Sequence, residues 1–148
     1  MLTIDFKIDY REVLKALNAS PAQVDKGVKK GLTIVAKGVH NYAKVFLSGK
    51  KKPRGAYPVP VVTGHLRRSL DLVLPGRSKT SDGVTFNASK NEVIVFDSAD
   101  YAKLIHEGKE TSAKYGPRRF LTDAFELFNR DTPITEIIIN EINNEMKL

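Results

Sequence analysis

The chain has no cysteine and no tryptophan, holds three histidines, and contains no long apolar run. Without Cys there is no disulfide, no thiolate nucleophile and no zinc site of the Cys type. His40, His65 and His106 are scattered, and His106-Glu107 lacks the H-E-x-x-H spacing that puts two ligands on one helix face. No metal or other cofactor is expected. No stretch approaches the roughly 18 apolar residues of a membrane span. Asp5, Lys7 and Asp9 interrupt the first residues too early for a signal peptide. The expected setting is a soluble protein inside a cell, or part of a particle assembled there, with no role at a membrane.

Recognisable catalytic patterns are missing too: no G-x-S-x-G and no phosphate-binding loop occur. Ser69 and Ser98 fall at expected helix edges, where capping or surface roles account for them. Asp97 and Asp100, with Glu107 the available carboxylates, stand near a helix start, where capping and the helix dipole explain them. The chain is therefore expected not to be an enzyme. A small hydrolase built on Ser, Thr, Lys or a carboxylate is the remaining enzymatic alternative.

Acid is absent where base is concentrated. The net charge is +7, yet between Lys26 and Leu70 there are eleven Lys or Arg and no Asp or Glu. From Asp131 to Leu148 there are four acids and one Lys. Such a split suits contact with nucleic acid, an acidic partner, or another copy. A basic nucleic-acid-binding protein acting through residues 26–70 is one reading. The aromatic interleaving of a single-strand platform is thin, leaving Tyr57 as its exposed candidate, and no zinc-finger or helix-turn-helix pattern appears.

What is present fits one α+β domain of 148 residues. Leu2, Ile4, Phe6 and Ile8 alternate with polar residues, as in a half-buried strand. A short helix from Asp9 to about Asn18 follows. Ser20-Pro21-Ala22-Gln23 then starts a long helix running to about Leu47, with Val24, Val28, Gly31, Val35, Val39, Tyr42 and Phe46 on its apolar stripe. Gly27, Gly31 and Gly38 either admit close approach of another element or are tolerated in a well-buried helix.

Residues 48–62, with three Pro and two Gly, form a long mobile arm. Thr63 caps a short helix, and strands are expected at 71–74, 84–88 and 93–96. The last has apolar residues on both faces and suits the centre of a helix-covered sheet. Three consecutive strands predict an antiparallel meander with the N-terminal strand at its edge, about four strands in all, and a polar turn at 75–83. A helix from Ser98 stops at Gly108, a polar loop covers 109–116, and Pro117 opens a helix through Phe128. Thr132-Pro133 begins a terminal segment to 147, read as a helix with an acidic outer face. A strand at Ile134–Ile139 is the competing assignment.

Three short patterns recur in order: T-G-x-L-R-x-S at Thr63, Gly64, Leu66, Arg67 and Ser69; Y-A-x-x-I with E-G at Tyr101, Ala102, Ile105, Glu107 and Gly108; and P-x-x-F-L-x-x-A at Pro117, Phe120, Leu121 and Ala124. With the flanking elements, this order resembles the tail-completion, head–tail joining and minor-tail proteins of long-tailed bacteriophages and prophages. The chain departs from that pattern in its Lys50–Arg54 insertion and its extended basic segment 109–116. The resemblance implies a structural virion protein in the tail or neck, made in the host cytoplasm. Its partners would be copies of itself in a ring, possibly of six, neck, connector or tail-tube proteins, and non-specifically the passing DNA. Lys50, Lys51, Lys52, Arg54 and Tyr57 of the arm are candidate interface residues. So are Arg67, Arg68, Lys109, Lys114, Tyr115, Arg118 and Arg119, and on the acidic end Glu136, Glu141 and Glu145. The basic stretch of one copy is expected to meet the acidic end of the next.

Overall fold

The computed structural model describes residues 2–8, 20–48, 64–107 and 119–146. The expected helix at 9–18, most of the arm and all of the 109–116 loop lie outside them. The fold is α+β, with strands β1 (Leu2–Lys7), β2 (Leu70–Val73), β3 (Ser78–Ser81), β4 (Val84–Asn87) and β5 (Glu92–Asp97). Helices are α1 (Pro21–Leu47), α2 (His65–Arg68), α3 (Ala102–Glu107), α4 (Phe120–Asp131) and α5 (Ile134–Met146).

Helix α1 begins as its sequence predicts. Pro21 occupies the first turn and the Ser20 hydroxyl accepts the Gln23 backbone N–H at 3.3 Å. Gln23 reaches back, but its Oε1 takes the Ser20 hydroxyl at 3.1 Å rather than a backbone N–H. The stripe from Val24 to Phe46 is buried apart from Tyr42, which is half-buried. That ring packs edge-on against Phe128 with centroids 5.5 Å apart, and its hydroxyl donates to Asp131 at 2.8 Å.

Strand β5 is buried along its whole length and is the centre of a three-stranded antiparallel sheet ordered β1-β5-β2. The N-terminal strand is at the edge, pairing Leu2 with Asp97 and Phe6 with Val93. Val93 and Val95 join the helix-side core with α1. Ile94 and Phe96 face the other way and join Val73, Phe86 and Ala88.

The meander is not what forms. β4 does not pair with β5; it pairs with β3 in a separate hairpin, so the described residues hold five strands in two sheets. The turn expected at 75–83 contains β3 and the Asp82-Gly83 reversal, whose residues have φ of 48° and 76°. Positive φ at both central positions is the type I′ geometry that suits the twist of a two-residue hairpin. The hairpin lies over the sheet, with Phe86 stacked on Phe96 at 3.9 Å between centroids. Helices therefore cover one face of β5 and the hairpin covers the other.

The terminal segment is a helix, not a strand. Ile138 and Ile142 are buried against α1. A Cβ built on Gly27 would lie 2.6 Å from the Ile142 Cα, and one on Gly31 would lie 3.0 Å from the Ile138 Cα. The two glycines thus bring the α5 backbone into contact with α1, the closer-approach reading of the sequence. Packing of both isoleucines, at roughly 1.5–3 kcal/mol each, outweighs the modest helix propensity of Ile. At Gly38 the space a Cβ would fill is taken by the Phe128 ring of α4.

Gly27→Ala tests this contact. A methyl group ordinarily gains about 1 kcal/mol in a helix interior. Here it meets backbone, and overpacking of about 1–3 kcal/mol should exceed that gain. Urea unfolding is expected to show a net loss of stability. A net gain would mean that α5 does not sit so close.

Candidate functional site

The patterns separated in sequence converge along one seam at the end of the central sheet. Leu70 pairs with Asp97, and the Ser98 N–H donates to the Ser69 carbonyl at 3.2 Å. This sets α2 beside the turn into α3, with the His65 and Tyr101 ring centroids 6.1 Å apart. Tyr101 is 36% exposed rather than part of the core. Leu66 and Ala102 point inward, whereas Arg67 and Arg68 are exposed. Gly64 has φ of 74°, and a Cβ there would lie 2.9 Å from the Arg68 guanidinium. The left-handed backbone is what favours glycine at this position.

The second and third patterns are joined by His106, whose place in the sequence pointed to no metal site and to no other role. His106 of α3 is buried, and its Nε2 accepts the Thr122 backbone N–H at 3.3 Å, with the Thr122 hydroxyl 3.1 Å away. Arg119 at the start of α4 provides no side-chain cap, so the imidazole takes an N–H of the first turn in its place. Burial, with Arg119 nearby, holds the His106 pKa below its ordinary value and keeps the ring neutral for this role. Phe120 packs edge-on against it at 5.6 Å, and Phe120, Leu121 and Ala124 are all buried. No sequence spacing marks this cap, because its partner lies sixteen residues away on another helix.

Ser98 is not a helix cap. It is buried and bridges the hairpin to the sheet: its Oγ lies 2.9 Å from the Ser81 hydroxyl and donates to the Asp82 carboxylate. Asp97 instead closes a local turn ahead of α3: its Oδ1 accepts the Ala99 N–H at 3.1 Å. The other oxygen, Oδ2, is buried with no hydrogen-bond partner. Desolvation pushes the Asp97 pKa up to about 7, against the Ala99 N–H, and the Asp82 charge adds to the rise.

The Ser69 hydroxyl lies 3.4 and 3.3 Å from the two His65 ring nitrogens, which ties the end of α2 back to its first residue. Among the described residues no three His, Asp or Glu side chains converge to hold a metal.

Of the other interface candidates, Arg119 and Glu136 are exposed and Glu141 is half-buried beside α1. Glu145 is taken up inside its own chain, by Lys26 at 3.4 Å and by Lys30. The Lys30 hydrogen bond holds Glu145 below the usual carboxylate range and raises Lys30 in turn. At this point the basic stretch and the acidic end meet within one subunit. Lys50, Lys51, Lys52, Arg54, Tyr57, Lys109, Lys114, Tyr115 and Arg118 lie outside the described residues. No described helix is long and apolar enough to cross a membrane. Comparison with family models, curated proteins and solved structures gives no match to the chain.

Asp97 gives a pH signature. Its folded pKa is raised, so between the ordinary value of 3.8 and about 7 the folded state holds a proton that the unfolded state has lost. Its contribution to stability therefore falls as pH rises through that window, by up to about 4 kcal/mol. Urea unfolding of Asp97→Asn between pH 4 and 8 should lack this decline. An unchanged pH profile in the variant would place the decline elsewhere.

Proposed function

We propose that the chain is a non-enzymatic structural protein of a long-tailed phage or prophage particle. It completes the tail or joins it to the head, as a ring of copies at the neck that also contacts connector or tail-tube proteins. The observation that carries this reading is the seam. The three patterns on which the resemblance rests are linked in space by the Ser98–Ser69 hydrogen bond, the His65–Tyr101 contact and the His106–Thr122 cap. Their apolar members build the core under it, while Arg67, Arg68, Tyr101 and Arg119 are presented outward. A buried scaffold carrying an exposed basic and aromatic rim suits a protein that grips neighbours.

Arginines at such a rim would pair with carboxylates of the neighbouring protein in a bidentate manner that lysine cannot reproduce.

Exposed Lys37 and Lys44 also favour a second reading, direct binding of nucleic acid by the free protein. That reading requires steep loss of affinity with salt.

Deleting the gene from the phage or prophage that encodes the chain is expected to leave filled heads and separate tails in electron micrographs of the lysate. Supplying the intact chain should restore joined particles. Normal infectious particles from the deletion would overturn the proposal.

A further inference from the structure

Among the described residues, three of the four exposed large apolar side chains lie on two helix faces of opposite charge. On α1, Ile34 and Val45 are 43% and 38% exposed and share a ridge with Lys37, Asn41 and Lys44, spaced by three and four residues. On α5, Ile139 is 50% exposed and shares its outer face with Glu136, Asn140 and Asn143. That face points away from α1, because Ile138 and Ile142 occupy the inner side against Gly31 and Gly27. Among the described residues, neither Lys37 nor Lys44 has an ion-pair partner, and Glu136 has none either.

We infer that the outer face of α5 in one copy docks on the Ile34–Val45 ridge of α1 in the next. The occupant is a second copy because the chain itself carries the complement: an exposed aliphatic side chain beside a carboxylate, against aliphatic side chains beside ammonium groups. The first half of the same ridge shows the chemistry at work. There Lys26 and Lys30 are already covered by an acidic side chain of α5, Glu145 of their own chain. Beyond Lys30 the ridge continues with Ile34, Lys37, Asn41, Lys44 and Val45, and Lys37 and Lys44 there are exposed.

The two faces are different surfaces, so the contact is heterologous and each copy offers one face to each neighbour, giving a closed ring or an open filament. Ile34 to Val45 spans roughly 16 Å of helix. A single helix-on-helix contact of that length falls below the roughly 1,200 Å² of a stable complex. Association in solution is therefore expected to be weak and sensitive to salt, and to strengthen when copies are held side by side. This inference rests on the proposed ring and names the contact that builds it.

Sedimentation velocity of the full chain over a wide concentration range, at low and high ionic strength, tests it with charge swaps. The wild type should self-associate at low salt. Glu136→Lys alone and Lys37→Glu/Lys44→Glu together should each weaken association at least about tenfold. The triple variant, with both faces reversed, should recover it, as should an equimolar mixture of the two weakened proteins. Circular dichroism and thermal unfolding, unchanged in all three, would separate lost contact from lost fold. Wild-type monomer at every concentration, or a triple variant that stays dissociated, would overturn the contact. Loss of binding to random-sequence duplex DNA in the lysine variant, with no change in association, would assign the ridge to nucleic acid and also overturn it. Joined particles formed by the dissociated variants would sink this contact while leaving the head–tail role standing.

Discussion

The close approach of α5 to α1 is the contact on which the rest of the molecule depends. Two glycines one helical turn apart, Gly27 and Gly31, remove the side chains that would hold the helices apart, and Ile142 and Ile138 fill the space against bare backbone. This has consequences at both ends. Toward the start of α1 the approach brings Glu145 over Lys26 and Lys30, so part of a strongly basic ridge is neutralised internally. Toward its end, Phe128 fills the place of a side chain at Gly38 and aligns α4 with the same helix. A 27-residue helix can then serve as the floor for β5 and β2 on one side and for two helices on another.

The seam beside this core works by different means. Its links are polar and partly buried: Ser98 to Ser69, Ser98 to Asp82, His106 to Thr122. Buried polar groups in such links are costly to leave unmade, so they fix one arrangement of the short helices more firmly than apolar packing alone. Asp97 departs from that rule. It has one oxygen satisfied and one orphaned, and it sits where β1, β5 and β2 end together. Its neutral form relieves the desolvation that ionisation would impose. The end of the sheet is therefore responsive to pH, and it is the part that carries the outward-facing Arg67, Arg68 and Tyr101.

Much of the architecture was legible in residue patterns that depend on local physics. Ser20-Pro21 starts a helix because a hydroxyl cap and a missing N–H both suit a first turn, whatever lies around them. The double-sided apolar run of β5 marks a central strand because both its faces must be covered. The hairpin was harder to read: Ser78–Ser81 has no apolar residue, so no periodicity marks β3. The signal available was Asp82-Gly83, which specifies a tight reversal. Phe86 alternates as a strand residue should, but alternation cannot say whether it pairs beside Phe96 or stacks across from it. Burial of Asp97, the cap supplied by His106 and the internal pairing of Glu145 are all properties of packing between distant segments. No spacing in a single sequence records them.

On the proposed reading this fold sits in a ring between phage head and tail, built on an α1–α5 pair that is packed inside and complementary outside. Electron cryomicroscopy of the neck of particles from the phage or prophage that encodes the chain tests that most directly. The account predicts a ring of repeated subunits into which the α1–α5 pair and the β1-β5-β2 sheet fit, with the α1 ridge of each copy against α5 of its neighbour. A neck fully accounted for by other proteins, with this chain absent from the purified particles, would contradict it.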